Sequence, residues 1–515
     1  MPGDRTGLLV FSLILVGVAA RLAIWATGRI WEDALITTTQ ARSFADGLGL
    51  THHAGEPPTY GFTSALSVLM AIPGELVAVG GGVNATRIAS LLAVVIALVY
   101  ARRLATVLGL STAATGFVLA FLALDQLQVF YGMVGMETQV AVAVLLVSTL
   151  FVIREDVMKA GLSLGVAVLA RPDFLIWVGV TLIWLFLRSR SSAIRAAVAG
   201  AAVLLPWIVF TTLYYGSPIP QTIQAKAVVY AAYPHGIFDI PAWLAEALLA
   251  HGNALVRTFA PFLEDTLTTG TPVPLLLLVL VSAVTWSLVI LGATQARRVS
   301  VAQPIIAFVV LYLVYRIAFG PTIYSDWYVP PFTAMAILLA GIGLDRIARG
   351  RARTVLAVAL VGAFALPLPW VYGIEQATQA SIDREITPVG LYLRDHVSPS
   401  EAFYAEPAGY LGFYSRATLW DFPGLTSRKS LATIRTIDDK TIAGLAAALR
   451  APWMFLRTNE YADLAERYPN IVRAYATCLT GGLDMTGDRW AGYVRPLPPG
   501  FSPGFVVLHV GSCPS

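Results

Sequence analysis

Residues 7–27, GLLVFSLILVGVAARLAIWAT, run directly toward WEDALITTTQARSFADGLGL at 31–50. The first stretch is apolar except for Arg21, and a helix needs roughly 20 such residues to cross a bilayer core. It lacks the basic n-region and small-residue cleavage site of a secretory leader, so it reads as a retained helix. The second stretch turns polar at once and opens on two adjacent acids, Glu32 and Asp33. Acids set at a membrane surface are costly enough to require a reason. Composition carries the same reading along the chain: 57% of the 515 residues are hydrophobic and only 13% charged, against about 25% charged in soluble domains. This is an integral membrane protein.

Further apolar runs fall at 86–104, 112–130, 138–153, 158–171, 173–188, 196–214, 273–293, 302–319, 328–346 and 353–372, predicting about eleven transmembrane helices. The short pair flanking Arg171-Pro172-Asp173 reads as tilted or broken helices. Residues 62–79, FTSALSVLMAIPGELVAV, contain Pro73 and Glu75 and read as an interfacial helix rather than a crossing. With the N-terminus inside, short loops on one side collect Arg5, Arg102, Arg103, Arg154, Lys159, Arg188, Arg190, Arg195, Arg297, Arg298, Arg346, Arg349, Arg351 and Arg353. The longer loops opposite hold only Arg29, Arg42, Arg171, Lys226 and Arg257. The positive-inside rule therefore predicts a cytoplasmic N-terminus and an extracytoplasmic C-terminus in the plasma membrane.

Residues 1–372 read as a transmembrane domain with two long outward loops, 28–85 and 215–272. Residues 373–515 regain ordinary charge and contain β-like runs (EAFYAE, PWMFLR, GFVVLHV) and a helical stretch, TIAGLAAALR. A soluble extracytoplasmic α/β domain is expected there. The only cysteines, Cys478 and Cys513, both lie in it. They exclude a cysteine-based metal site and allow one disulfide in an exported domain. The net charge of +4, without basic blocks interleaved with aromatics, excludes nucleic acid as a partner.

Glu32 and Asp33 have two readings. They cap an interfacial helix, a common use of acids at helix N-termini, or one is a general base that takes a proton from an acceptor hydroxyl. Adjacent buried carboxylates raise each other's pKa, so one can act as base while its neighbour orients substrate or shares a cation (Mg2+, Mn2+ or Ca2+) with a phosphate. Spacing does not assign the roles, and metal dependence stays open. His52, His53 and Tyr60 in the same loop are candidates for binding sugar hydroxyls, or ordinary loop polarity. The segment YYGSPIPQTIQAKA (214–227) breaks its helix at Pro218 and Pro220 and presents Lys226, a cation for a lipid phosphate or one that snorkels to the headgroups. Arg316, Arg171 and Arg21 are cations of the same kind, since an Arg within a span faces a cavity or a partner. GMET (135–138) and RPD (171–173) sit at the tops of hairpins, where polar residues also simply end helices. In YSDWYVPPF (324–332), Tyr324 reads as part of an interfacial aromatic belt and Trp327 as either belt or sugar platform.

Taken in order, EDALITTTQARSFADGLGL, AGEPPTYGFTSAL, GMET, RPD, YYGSPIPQTIQAKA and LWDFPGLTSRKS (419–430) resemble polyprenyl-phosphate-sugar-dependent glycosyltransferases of the GT-C membrane fold. They are most similar to the actinobacterial terminal arabinofuranosyltransferases. Where that family opens with two aspartates this chain has Glu32-Asp33, and where it often has Asn after the Thr this chain has Thr63-Ser64. The resemblance implies a lipid-linked sugar donor, a polysaccharide acceptor, a first-loop acid as base and inversion at the anomeric carbon. It places Lys226 near the donor phosphate and Asp421 near the acceptor or a domain interface. A mannosyl or other hexosyl transferase is the alternative. A transporter would call for internal repeats and mid-membrane charges, which the chain lacks, and a glycan-binding relative without turnover is the third reading.

Overall fold

The computed structural model describes residues 3–230, 237–251, 253–260, 275–297, 299–318, 326–482 and 504–514. Tyr324 and part of the 215–272 loop lie outside the described residues. The apolar runs form helices, among them Gly3–Ala26, Gly81–Val107, Thr138–Ile153, Arg190–Tyr215, Leu275–Ala296 and Val329–Ile347. Among the described residues six helices are long and apolar enough to cross a membrane, and the chain is a multi-pass membrane protein. The run before Arg171 is a 14-residue helix, Val157–Ala170, broken from Leu175–Arg188 by a 3-10 turn at Pro172–Phe174. Pro172 fixes that break, because proline supplies no amide to the helical ladder. The 62–79 segment forms a helix, Ala65–Val77, of 13 residues, about 20 Å long and short of a bilayer core.

By internal contacts the chain forms two compact units. The first comprises Met1–Thr27, Arg87–Trp207 and Ala232–Tyr372. Small residues let its helices approach closely, as lipid-embedded helices do where the solvent gives no hydrophobic drive. A Cβ on Gly292 would stand 1.8 Å from the Leu339 carbonyl oxygen, and one on Gly343 would stand 2.0 Å from that of Leu288. Only glycine permits that crossing of the Leu275–Ala296 and Val329–Ile347 helices. Arg21 is fully buried in this unit. It donates to Gln139 Oε1 at 2.7 and 3.0 Å and to the carbonyls of Gly17, Leu122, Ala123 and Gln128. Its charge therefore joins the first span to residues of the 112–139 hairpin.

The second unit comprises Gly28–Thr86, Ile208–Ala231 and Gly373–Ser515. Its sheet holds β1 (Ala402–Ala405), β2 (Thr418–Asp421), β3 (Trp453–Arg457), β4 (Tyr475–Gly482) and β5 (Gly504–Val510), in the order β2-β1-β3-β5-β4. β1 pairs in parallel with β2 and β3, whereas β5 runs antiparallel to β3 and β4. The β-like runs of the sequence are β1, β3 and β5, and TIAGLAAALR contains the helix Ile442–Leu449. β2 and β4 were not legible, because TLWD is short and YATCLTGG is rich in glycine and polar residues. Cys478 in β4 is disulfide-bonded to Cys513, just beyond β5. From the first loop, the helix Glu32–Ala45 buries Ile36 in the cluster of Phe403, Leu411, Leu419 and Phe455, and Leu35 against Tyr410 and Phe413. The helix Gln221–Val229 buries Ala225 against Tyr404 and Phe422.

Candidate active site

Ligands of open α/β sheets bind beyond the carboxyl ends of parallel strands. In the second unit those ends are Glu406 after β1, the 422–427 loop after β2, and Arg457 closing β3. The N-terminus of Glu32–Ala45 and the Lys226 segment belong to the same unit.

Glu32 and Asp33 occupy the first turn of their helix after Trp31, whose side chain makes no capping bond. Adjacency on a helix turns the two carboxyls about 100° apart, and they meet different partners. Glu32 Oε1 accepts from the backbone N–H of Gly409 and from that of Tyr410 at 3.3 Å, at the start of the helix Gly409–Ser415. A Cβ on Gly409 would lie 2.1 Å from the Glu32 carbonyl oxygen, so glycine is needed for this approach. Burial pushes the Glu32 carboxyl up to about 7, with Glu406 and Asp33 adding to the rise and the two amides opposing it. Glu32 thus caps a second helix.

Asp33 accepts no hydrogen bond among the described residues. Burial raises its pKa, the charge of Lys226 lowers it, and that of Glu406 raises it. Both acids keep intermediate solvent exposure, so a substrate hydroxyl has a route to them. Glu406 is absent from the reading of the sequence. It is held by Arg457 at 2.6 Å, which also pairs with Glu460 at 2.6 Å. Its position directly after a strand, in EAFYAE, is the signal that would have found it.

The other sequence candidates separate into distinct settings. His52 and His53 are buried, their Nδ1 atoms 3.4 Å apart, and a Cβ on Gly412 would meet the His52 ring at 2.4 Å. Burial pushes His52 down to about 3, with His53 contributing, and His53 down to about 4, so both are neutral at physiological pH. Asp421 is fully buried and accepts from the amides of Leu425, Thr426 and Ser427 and from the Thr426 hydroxyl, organising the 421–427 loop. Tyr60 stacks on Tyr215 with centroids 5.0 Å apart. It lines a cleft of ≈ 240 Å³ with Ser217, Gln221, Gln224, Arg428 and Arg435.

The segments 54–66, 214–227 and 419–430 come together around that cleft. Gln221 donates to the carbonyls of Gly424 (2.8 Å) and Ser427 (2.9 Å), and Glu56 accepts from the Ser427 hydroxyl (2.7 Å) and the Arg428 amide (2.6 Å). In the first unit, Arg171 pairs with Glu137 of GMET at 3.1 Å and with Asp173 at 3.0 Å, and stacks over Tyr328. Its charge is met by two carboxylates. Arg316 donates to Thr258 at 3.4 Å and lies over Phe332, and Trp327 packs near Tyr131 and Tyr328. Among the described residues no group of three or more His, Cys, Asp or Glu is placed to hold a metal ion. Two carboxylates such as Glu32 and Asp33 would supply part of a hard cation's oxygen set, with water and substrate phosphate completing it.

Residues 373–493 match the family model DUF8728, a domain of unknown function. No curated protein matches the chain in sequence. Among solved structures, the chain is similar to ArnT from Cupriavidus metallidurans bound to undecaprenyl phosphate, at 13% identity and a TM-score of 0.52, with 100% of both chains covered. It is similar to the apo state of the same protein at 13% identity and a TM-score of 0.52, over 97% of this chain and 98% of that one. The oligosaccharyltransferase of Archaeoglobus fulgidus, tethered with an acceptor peptide containing the NVT sequon, aligns at 12% identity and a TM-score of 0.49, over 91% and 72%. The fold is GT-C, mostly α with a small C-terminal sheet.

Proposed function

We propose that this GT-C chain is a membrane glycosyltransferase that moves a sugar from a polyprenyl phosphate to a hydroxyl of a cell-envelope glycan on the extracytoplasmic face. The observation that carries the reading is the divided environment of the acid pair. Glu32 is committed to backbone amides, whereas Asp33 has no hydrogen-bonding partner among the described residues and feels the charge of Lys226. A lipid-carried donor is supported by the undecaprenyl phosphate in the ArnT structure. Arabinofuranose as the sugar rests on the sequence resemblance, with mannose or another hexose as the alternative.

In this mechanism Asp33 accepts the proton of the acceptor hydroxyl as its oxygen bonds to the anomeric carbon. The bond from that carbon to the phosphate oxygen breaks, and the polyprenyl phosphate leaves with the electron pair. Lys226 stabilises the charge that develops on the phosphate. A single direct displacement inverts the anomeric centre. Burial and Glu406 lift Asp33 above the usual aspartate range, which suits a base working near neutral pH.

The test is transfer by the purified chain from synthetic polyprenyl-phosphate arabinofuranose and polyprenyl-phosphate mannose to arabinan and mannan acceptors, with and without EDTA. Transfer from one donor, inverted in product and lowered by about 10²–10⁴ in Asp33→Asn, is expected. A covalent glycosyl-enzyme on Glu32 or Asp33 overturns the single displacement. No transfer from any lipid-linked sugar by folded protein overturns the enzyme reading.

A further inference from the structure

In the first unit, the C-terminal ends of the helices Gly81–Val107 and Thr138–Ile153 meet the N-terminal part of the first span around a cavity of ≈ 280 Å³ lined by Val10, Val99, Arg102, Arg103, Thr106 and Arg154. All three helix ends lie at one membrane surface, and the sequence collects basic residues there without assigning them a task. We infer that this cavity binds the phosphate headgroup of an anionic glycerophospholipid.

The charge is uncommitted. Arg154 is followed by Glu155 and Asp156, which would neutralise it, but Glu155 pairs with Arg188 and Asp156 with Lys159 at 2.8 Å. Arg103 lies over the ring of Tyr100, 5.0 Å from its centroid, and among the described residues neither it nor Arg102 pairs with a carboxylate. Arg353, by contrast, pairs with Asp345 at 2.8 Å. Three arginines therefore line one cavity, and among the described residues none of them pairs with a carboxylate. Guanidinium forks match phosphate oxygens in geometry as well as sign. The partial negative charge of two helix C-termini opposes an anion, but it amounts to about half a unit each, against three full positive charges.

The walls favour a lipid over a soluble anion. Val10 and Val99 supply apolar surface at the depth of two spans, and Tyr100 packs edge-on against Phe151 with centroids 6.3 Å apart. Aromatic residues of this kind sit at headgroup level. The volume lies just under the ~300 Å³ at which drug-sized pockets begin, which suits a headgroup whose acyl chains continue along the apolar helices.

The experiment is native mass spectrometry of the detergent-purified chain with phosphatidylglycerol, cardiolipin or phosphatidylcholine added, and thermal unfolding with inorganic phosphate as a separate arm. The wild type is expected to retain the anionic lipids over phosphatidylcholine. Arg102→Gln, Arg103→Gln and Arg154→Gln combined should lower that retention roughly 100-fold, because each basic residue at an anionic surface is worth about fivefold. The Lys triple variant keeps the charge and should keep most of the retention, which separates loss of the site from misfolding. Arg346→Gln with Arg351→Gln, another basic cluster, should leave it unchanged. Equal retention of all three lipids by the wild type, or full retention by the Gln variant, overturns the inference. Stabilisation by inorganic phosphate equal to that by lipid overturns the lipid as source.

Discussion

Replacing Glu32 by Gln should stabilise the protein above neutral pH. The Glu32 carboxyl is raised from 4.5 to about 7, chiefly by burial. A carboxyl with a raised folded pKa binds its proton more tightly in the folded state than in the unfolded one, so stability falls as pH climbs from about 4.5 through 7. The rise corresponds to roughly 3 kcal/mol in full, and partial solvent access lowers this to about 1–3 kcal/mol. Gln keeps an oxygen that accepts from Gly409 and Tyr410 without carrying the charge. Glu32→Gln should therefore match the wild type near pH 4.5 and exceed it by about 2–12 °C in Tm at pH 8, at about 2–4 °C per kcal/mol for a unit of this size. His52 and His53 titrate in the opposite sense, destabilising the fold as pH drops from 6.5 toward 4, but they are common to both proteins and cancel in the difference. The assay is thermal unfolding by tryptophan fluorescence from pH 4.5 to 8.5. A variant less stable than the wild type at pH 8, or a difference flat with pH, would refute the assignment of Glu32 as a desolvated helix cap.

Asp33→Asn should lower transfer by about 10²–10⁴ with Tm nearly unchanged, and a loss shared equally with Glu32→Gln would undo the division of roles. Lys226→Ala should lower turnover by about 10²–10³ and move the acidic limb of the pH–rate profile upward, because Lys226 holds the Asp33 pKa down; an unmoved limb would separate the two residues. In Gly409→Ala the new Cβ would sit 2.1 Å from the Glu32 carbonyl oxygen, so a loss of about 1–3 kcal/mol in stability is expected, read as a lower Tm. Arg171→Met leaves Glu137 and Asp173 as buried carboxylates without their cation and should cost about 3–5 kcal/mol; normal melting with turnover lost would instead identify Arg171 as a substrate ligand.

The membrane class and the helical runs were legible because apolar length and composition are local properties, summed over windows of about 20 residues. The acid pair was legible as a pair, but its division was not. A helix sets Glu32 and Asp33 on diverging directions, and what each meets depends on Gly409, Glu406 and Lys226, which no spacing rule connects to them. His52, His53 and Asp421 show the converse. Their chemistry made them candidates, and burial gave them neutral rings and a satisfied carboxylate.

The sequence by itself determined that this chain lives in a membrane, which stretches are helices and where an adjacent pair of acids stands. Only the tertiary structure decided which acid is tied to a helix N-terminus and which is left to face a cation, and it added Glu406 to the site. The physical reason is that hydrophobic length acts locally, whereas desolvation and charge coupling are set by residues brought close by folding.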